Sequence, residues 1–233
     1  VYTVEHYQEQ LRSGEYELTE SETLTGTTDS SVTPEVKDYT GYYAPAKQEI
    51  KINADGSTTM RYYYALQTHS VTFDPGEVGG ESITYELKYG GTVIAPELAA
   101  KGYTFAGWDQ TISGTMGTEN VTYTAQWTKK ADTDYRVEYY VEDVNGAYRL
   151  QDLVEGKGIT GALLSVENLR YQELVDGQVA EQKYNVANGI VFENMTVNGA
   201  ETENAEIAAD GKTIIKLNYR RLSHKVTFDW GFD

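Results

Sequence analysis

Tyrosine is the residue type in this chain best placed to make contacts, at 20 Tyr against 5 Phe, 3 Trp and 3 His. Tyr62-Tyr63-Tyr64, Tyr42-Tyr43 and Tyr139-Tyr140 fall in strand-like runs. Successive side chains on a strand point to opposite faces, so each run must send rings both ways. One face is core. On the other face, rings either pack across strands on a half-wet sheet or offer themselves to sugars or a protein. Tyr62, Tyr63 and Tyr64 are therefore the candidate ligand contacts, for a host glycan, a mucin or a host surface protein.

Other chemistry has less to work with. Catalysis needs an activated nucleophile or a poised acid–base pair. Cysteine is absent and no Gly-x-Ser-x-Gly elbow occurs, so no enzyme is expected and no catalytic residue is assigned. His69 and His224 hold matching repeat positions and His6 lies in a different repeat, which argues against a His-ligated metal. No Asp-x-Asp-x-Asp-Gly loop suggests calcium, and Asp55-Gly56 and Asp210-Gly211 read as turns. Gly79-Gly80 and Gly90-Gly91 lack the Lys-Ser/Thr that would follow in a phosphate cradle. No cofactor is expected. A Lys–Asn or Lys–Asp cross-link within the chain is chemically open, with no Lys singled out.

The 36 acidic residues outweigh 19 basic ones, for a net charge of −17. Such a surface repels phosphate backbones and anionic bilayers, and keeps copies apart. Nucleic acid is thus not an expected partner, and a monomer is expected. No run of 18 apolar residues occurs, so no membrane-inserted span is expected. No signal peptide opens the chain, and its first residues already read as a strand, which suggests an excised fragment. Without disulfides, the stability must come from sheet hydrogen bonds and packing.

Internal repeats organise the chain. Tyr2 to Tyr7 matches Tyr135 to Tyr140, Gly14 to Leu18 matches Gly146 to Leu150, and Ala54 to Thr58 matches Ala209 to Thr213. His69 to Asp74 matches His224 to Asp229. The order is A, B, A′ and the start of another B, at residues 1–68, 69–130, 131–222 and 223–233. An insertion in A′ falls within Leu169 to Asn194. Each A-type segment reads as two strands, a short helix and two more strands. In A, Thr33-Pro34-Glu35-Val36 starts the helix, and Asp55-Gly56 turns a hairpin between Ile50-Lys51-Ile52 and Thr59 to Tyr64. In A′, Ser165 to Leu169 fills the helix slot. In B, Pro96 to Gly102 reads as one or two helical turns between strands. The glycines of Gly102 to Trp108 bracket a strand, and Trp108 and Trp127 read as core. The connectors, Leu66 to Ser70 and Thr128 to Thr133, are short and polar.

Segment B resembles the Listeria–Bacteroides repeat, also called the internalin B-repeat. The resemblance rests on Val71-Thr72-Phe73-Asp74, Tyr89-Gly90-Gly91, Pro96, Gly102 to Trp108, Asn120-Val121-Thr122 and Ala125-Gln126-Trp127. Segments A and A′ more loosely resemble the mucin-binding-protein repeats of Gram-positive surface proteins. That likeness rests on Tyr2 to Tyr7, Glu22 to Gly26, Tyr39 to Tyr42 and Tyr62 to Tyr64. A′ departs from it, with Gly156-Lys157-Gly158 in place of the Leu-Thr-Gly end. The resemblance implies a mainly β (α+β) chain of tandem β-grasp-like modules, each with a mixed sheet and one short helix, arranged as an elongated rod. It also implies an extracellular, surface- or wall-attached location. The expected role is a spacer or stalk. The alternatives are an adhesin region binding host glycan or mucin, and an accessory module of a larger secreted enzyme.

Overall fold

A computed structural model describes residues 1–223 and 225–227. The fold is mainly β. Its contacts divide into two compact units, Val1–Leu98 with Ala106–Gln126, and Ala99–Phe105 with Trp127–Asp233.

Segment A builds a four-stranded mixed sheet from β1 (Tyr2–Glu9), β2 (Tyr16–Leu24), β4 (Tyr42–Tyr43) and β6 (Thr59–Leu66), in the order β2-β1-β6-β4. β1 pairs antiparallel with β2 across a turn at residues 11–13, and parallel with β6. A parallel pair needs a long crossover. Residues 25–58 supply it and carry a small second sheet of β3 (Ser31–Val32) and β5 (Ile50–Lys51). Alternation along β1 and β6 sends Tyr2, Val4, Met60, Tyr62 and Tyr64 into one core with Ile52.

Two expectations for A need correcting. Asp55-Gly56 does turn, with the Ser57 N–H donating to Asp55 Oδ1 at 3.0 Å, but it makes no hairpin. β5 pairs with β3, and both edges of β6 are taken by β1 and β4. Nor is Thr33 to Val36 helical. One turn gains too few hydrogen bonds to offset helix nucleation. Here the Tyr62 hydroxyl donates to the Pro34 carbonyl at 2.9 Å, and the Lys37 N–H donates to the Tyr64 hydroxyl at 3.0 Å. The extended segment is satisfied by the core tyrosines instead.

Segment B forms the sheet β8-β7-β10-β9 from β7 (Thr68–Asp74), β8 (Ile83–Lys88), β9 (Tyr103–Trp108) and β10 (Val121–Lys129). β7 runs antiparallel to β8 and parallel to β10. Val71, Phe73, Val93, Met116 and Tyr123 are its buried core. Trp108 packs against that core half-buried, 5.2 Å from the Phe73 ring. The helix expected at Pro96 to Gly102 is absent. Gly102 instead lies in a turn whose carbonyl accepts from the Lys130 N–H at 2.9 Å and the Thr160 hydroxyl at 2.7 Å.

Segment A′ orders its main sheet β12-β11-β17-β14-β15, from β11 (Thr133–Glu142), β12 (Tyr148–Gly158), β14 (Ile190–Val197), β15 (Ala200–Glu201) and β17 (Thr213–Arg221). β13 (Leu163–Ser165) and β16 (Asn204–Glu206) make a small second sheet, as β3 and β5 do in A. Here the short helix forms, as α1 (Val166–Arg170). The Ser165 hydroxyl caps it by accepting from the Asn168 N–H at 3.3 Å. The inserted stretch holds α2 (Ala180–Lys183) and leads into the eight-residue β14, where A has only the two-residue β4.

A and A′ repeat in detail. Both first strands carry a register irregularity at the same place, between His6 and Tyr7 and between Tyr139 and Tyr140. Thr58 Oγ1 and Thr213 Oγ1 accept from the N–H of Asn53 and of Ala208, each at 2.8 Å. The strand expected at 223–233 lies outside the described residues at His224 and 228–233.

Candidate functional site

Strand parity separates the three candidate tyrosines. Tyr62 and Tyr64 are fully buried, while Tyr63 is 49% exposed. Tyr62 and Tyr64 are therefore core residues rather than ligand contacts, because their faces are already occupied. The buried His6 ring stacks on Tyr62 at 5.8 Å, and its Nδ1 lies 2.8 Å from the Tyr64 hydroxyl. His6 Nε2 lies 3.4 Å from Glu22 Oε1, so both ring nitrogens have partners inside the module.

The open face gathers other rings around Tyr63. Tyr7 sits opposite it in register and stacks on it at 5.1 Å, with the ring planes 26° apart. Tyr16 meets Tyr63 edge-on at 5.4 Å. Leu18, directly across from Tyr7, extends the apolar patch. The rim is polar: the Tyr7 hydroxyl and Arg61 Nε both donate to Glu5 Oε2 at 2.9 Å. Tyr7 and Tyr16 were not among the sequence candidates. The signal that would find them is the β2-β1-β6 register, which repeats alone do not provide.

The corresponding face of A′ keeps Tyr140 and Tyr148 but places Asn218 where A has Tyr63. Lys216 Nζ stands 5.3 Å from the Tyr140 ring centre, over its face. The Tyr148 hydroxyl donates to Glu193, and burial together with that carboxylate pushes its pKa up to about 12. Asn218 Nδ2 donates to Asn194 Oδ1 at 2.8 Å. Amides and charges that satisfy one another replace the open tyrosine stack.

The other built feature is the joint within the first unit where A meets B. Glu9, at the end of β1, is buried. Its Oε2 accepts the Leu66 N–H at 2.9 Å, and its Oε1 pairs with the Lys88 ammonium at the end of β8. The Lys88 hydrogen bond and then the Leu66 N–H hold the Glu9 carboxyl below its usual range, against the opposing effect of burial. Beside this pair the Tyr89 ring lies flat on Gly41, where any Cβ would collide with it. Gly41 also has φ +83°, so only glycine fits without strain. The Gln67 N–H donates to the Gly41 carbonyl and the Tyr89 N–H to the Gln67 carbonyl, each at 2.8 Å.

Within the second unit, the connector from B into A′ is also fastened by buried polar groups. The Thr160 hydroxyl lies 2.7 Å from both the Thr133 hydroxyl and the Gly102 carbonyl. A connector whose polar groups are buried and paired resists opening, because exchange for water gives back little while separation costs the packing.

No protein-family model and no curated protein matches this chain. Among solved structures it is similar to the Bacillus anthracis TIE protein, at 11% identity and a TM-score of 0.38. The match covers 95% of this chain and 51% of that one, so the chain spans about half the length of that neighbour. A likeness of that degree carries no argument about role.

Proposed function

We propose that the chain is a non-catalytic repeat region of a bacterial cell-surface protein and acts as an extracellular spacer or stalk. One observation carries this reading: A′ repeats the sheet plan of A, with the same β1/β6-type parallel pair, the same irregularity and the same threonine bond at the turn. A module used twice with a different module between suits distance better than chemistry. The fastened connectors support it, as does the resemblance of B to the Listeria–Bacteroides repeat and of A and A′ to mucin-binding-protein repeats. Repeat arrays of this kind gain length by adding units, each in contact only with its neighbours.

The exposed Tyr16 and Tyr63 rings, stacked with the half-buried Tyr7, favour one second reading, that A also binds host glycan or mucin. A glycan array and a mucin pull-down separate the two. A pure spacer gives no signal above background. Robust binding that is lost in Tyr63→Ser, while the melting curve is kept, would replace the spacer with an adhesin. Exposed substitutions of this kind shift stability by only about 0.5 kcal/mol, so the folding control is clean.

A further inference from the structure

The joint that seats B on A has a counterpart at the end of A′. Register makes the match residue by residue. Glu142 ends β11 as Glu9 ends β1, and its Oε2 accepts the Arg221 N–H at 2.9 Å, as Glu9 Oε2 accepts the Leu66 N–H at 2.9 Å. The Leu222 N–H donates to the Gly189 carbonyl at 2.9 Å, as Gln67 does to Gly41 at 2.8 Å. Gly189 has φ +71° where Gly41 has +83°. Ile190 pairs with Arg221 as Tyr42 pairs with Leu66.

What differs is the cover. In A these groups meet Lys88 and Tyr89, and Leu11 approaches Gly90. In A′, the Arg221 Nε donates to the Glu142 main-chain carbonyl at 2.8 Å, but among the described residues no lysine or arginine side chain pairs with the Glu142 carboxylate. Nothing among them lies within 4 Å of where a Gly189 Cβ would stand. Val144, second in its loop as Leu11 is, is 86% exposed against 44% for Leu11.

We propose that this end of A′ is a preformed socket for a further B-type module, which presents a lysine to Glu142 and an aromatic ring to Gly189. Lys88 and Tyr89 of B fill the equivalent places on A, and a lysine on the second Glu142 oxygen would add a charge-assisted hydrogen bond. His224 follows Arg221 at the same interval as His69 follows Leu66, and opens the same His-x-Val-Thr-Phe-Asp run. Leu222 replaces Gln67, but Tyr89 uses the Gln67 main-chain carbonyl, which Leu222 also has.

The inference rests on the spacer reading for the existence of a following module. The test appends residues 75–223 after Asp229, so that a second copy of B and A′ follows the socket. A zero-length carbodiimide then condenses carboxylates with amines in contact, the released water hydrating the reagent to its urea. A Glu142–Lys88 linked peptide should appear within monomers, at a yield comparable to the Glu9–Lys88 peptide. It should exceed its level in the unextended chain by about tenfold, because tethering raises the effective concentration of the partner. Its absence while the Glu9–Lys88 link forms overturns the socket, and absence of both links does so too. A Glu142–Lys88 link that forms only between two unextended chains would make a second copy the occupant and overturn the proposal. None of these failures touches the spacer reading, which stands or falls by the length of the chain in solution.

Discussion

A and A′ share a sheet plan yet close the open side of the parallel pair with different materials. In A, two residues of β4 cover the edge of β6, and the crossover lies extended, held by the hydroxyls of Tyr62 and Tyr64. In A′, eight residues of β14 cover β17, and the crossover coils into α1, whose Leu169 carbonyl accepts from the Tyr139 hydroxyl at 2.9 Å. The matched pair Tyr64 and Tyr219 shows the consequence. The Tyr64 hydroxyl serves His6 and Lys37, whereas the Tyr219 hydroxyl is buried with no hydrogen-bond partner among the described residues. Both modules tie the crossover backbone to core tyrosine hydroxyls, but A uses two against an extended segment and A′ uses one against α1 and adds the longer β14.

Removing the rings should have the largest effect and test whether both are core. Tyr64→Ala and Tyr219→Ala should each cost about 3–5 kcal/mol, as large buried aromatics do. Hydrogen exchange resolved by segment should show Tyr64→Ala opening A while A′ stays protected, and the reverse for Tyr219→Ala. Loss of protection throughout the chain in either variant would mean that the two modules are not separate folding units.

The next effect compares the two joints. Glu9→Ala leaves the buried Leu66 N–H without its acceptor and Lys88 without its partner, and should cost about 1–3 kcal/mol. The Lys88 side chain is 43% exposed, so most of that loss belongs to the N–H rather than to the ion pair. Glu142→Ala should cost less, since water reaches that half-buried end. Acid should act in the same place. The folded Glu9 carboxyl lies below its unfolded value of about 4.3, so its contribution is complete above that pH and is lost as pH falls through the folded value. Protection at residues 66–67 and 88–90 should fall with it in an exchange series taken below neutral pH.

Much of this plan was legible in the sequence, and the reasons divide by residue. Tyr2 to Tyr7 and Tyr135 to Tyr140 marked the first strands because alternation and repetition agree there. Ser165 to Leu169 was placed by its repeat position, and α1 forms there because Ser165 caps it. Asp55-Gly56 misled because a turn dipeptide reports the bend and says nothing of which edge of β6 is already taken. Thr33-Pro34 and Pro96 misled because starting signals do not reveal that core hydroxyls or distant N–H groups will satisfy an extended backbone. Tyr62, Tyr63 and Tyr64 were singled out together, separating the exposed ring from the two buried ones needed the face, and bringing Tyr7 and Tyr16 beside it needed the register.

The smallest mutational effect is also the most selective. Tyr64→Phe should cost about 1–2 kcal/mol, because the Lys37 N–H and His6 Nδ1 lose their partner inside the protein. Tyr219→Phe should be neutral or stabilising, since it removes a buried hydroxyl that has no partner. Paired urea titrations decide it. Equal losses in both would mean that the two modules do not differ in how they use polar groups.

Reach is the central claim of a spacer, and small-angle scattering of the monomer measures it most directly. A compact globule of this length has a radius of gyration of about 17–18 Å. Three modules of about 75 residues set in line, with centres about 29 Å apart, give about 26 Å by the same scaling. A value near the larger figure, unchanged between low and moderate salt, is the expected result. A value near the smaller one would contradict the proposed spacer role.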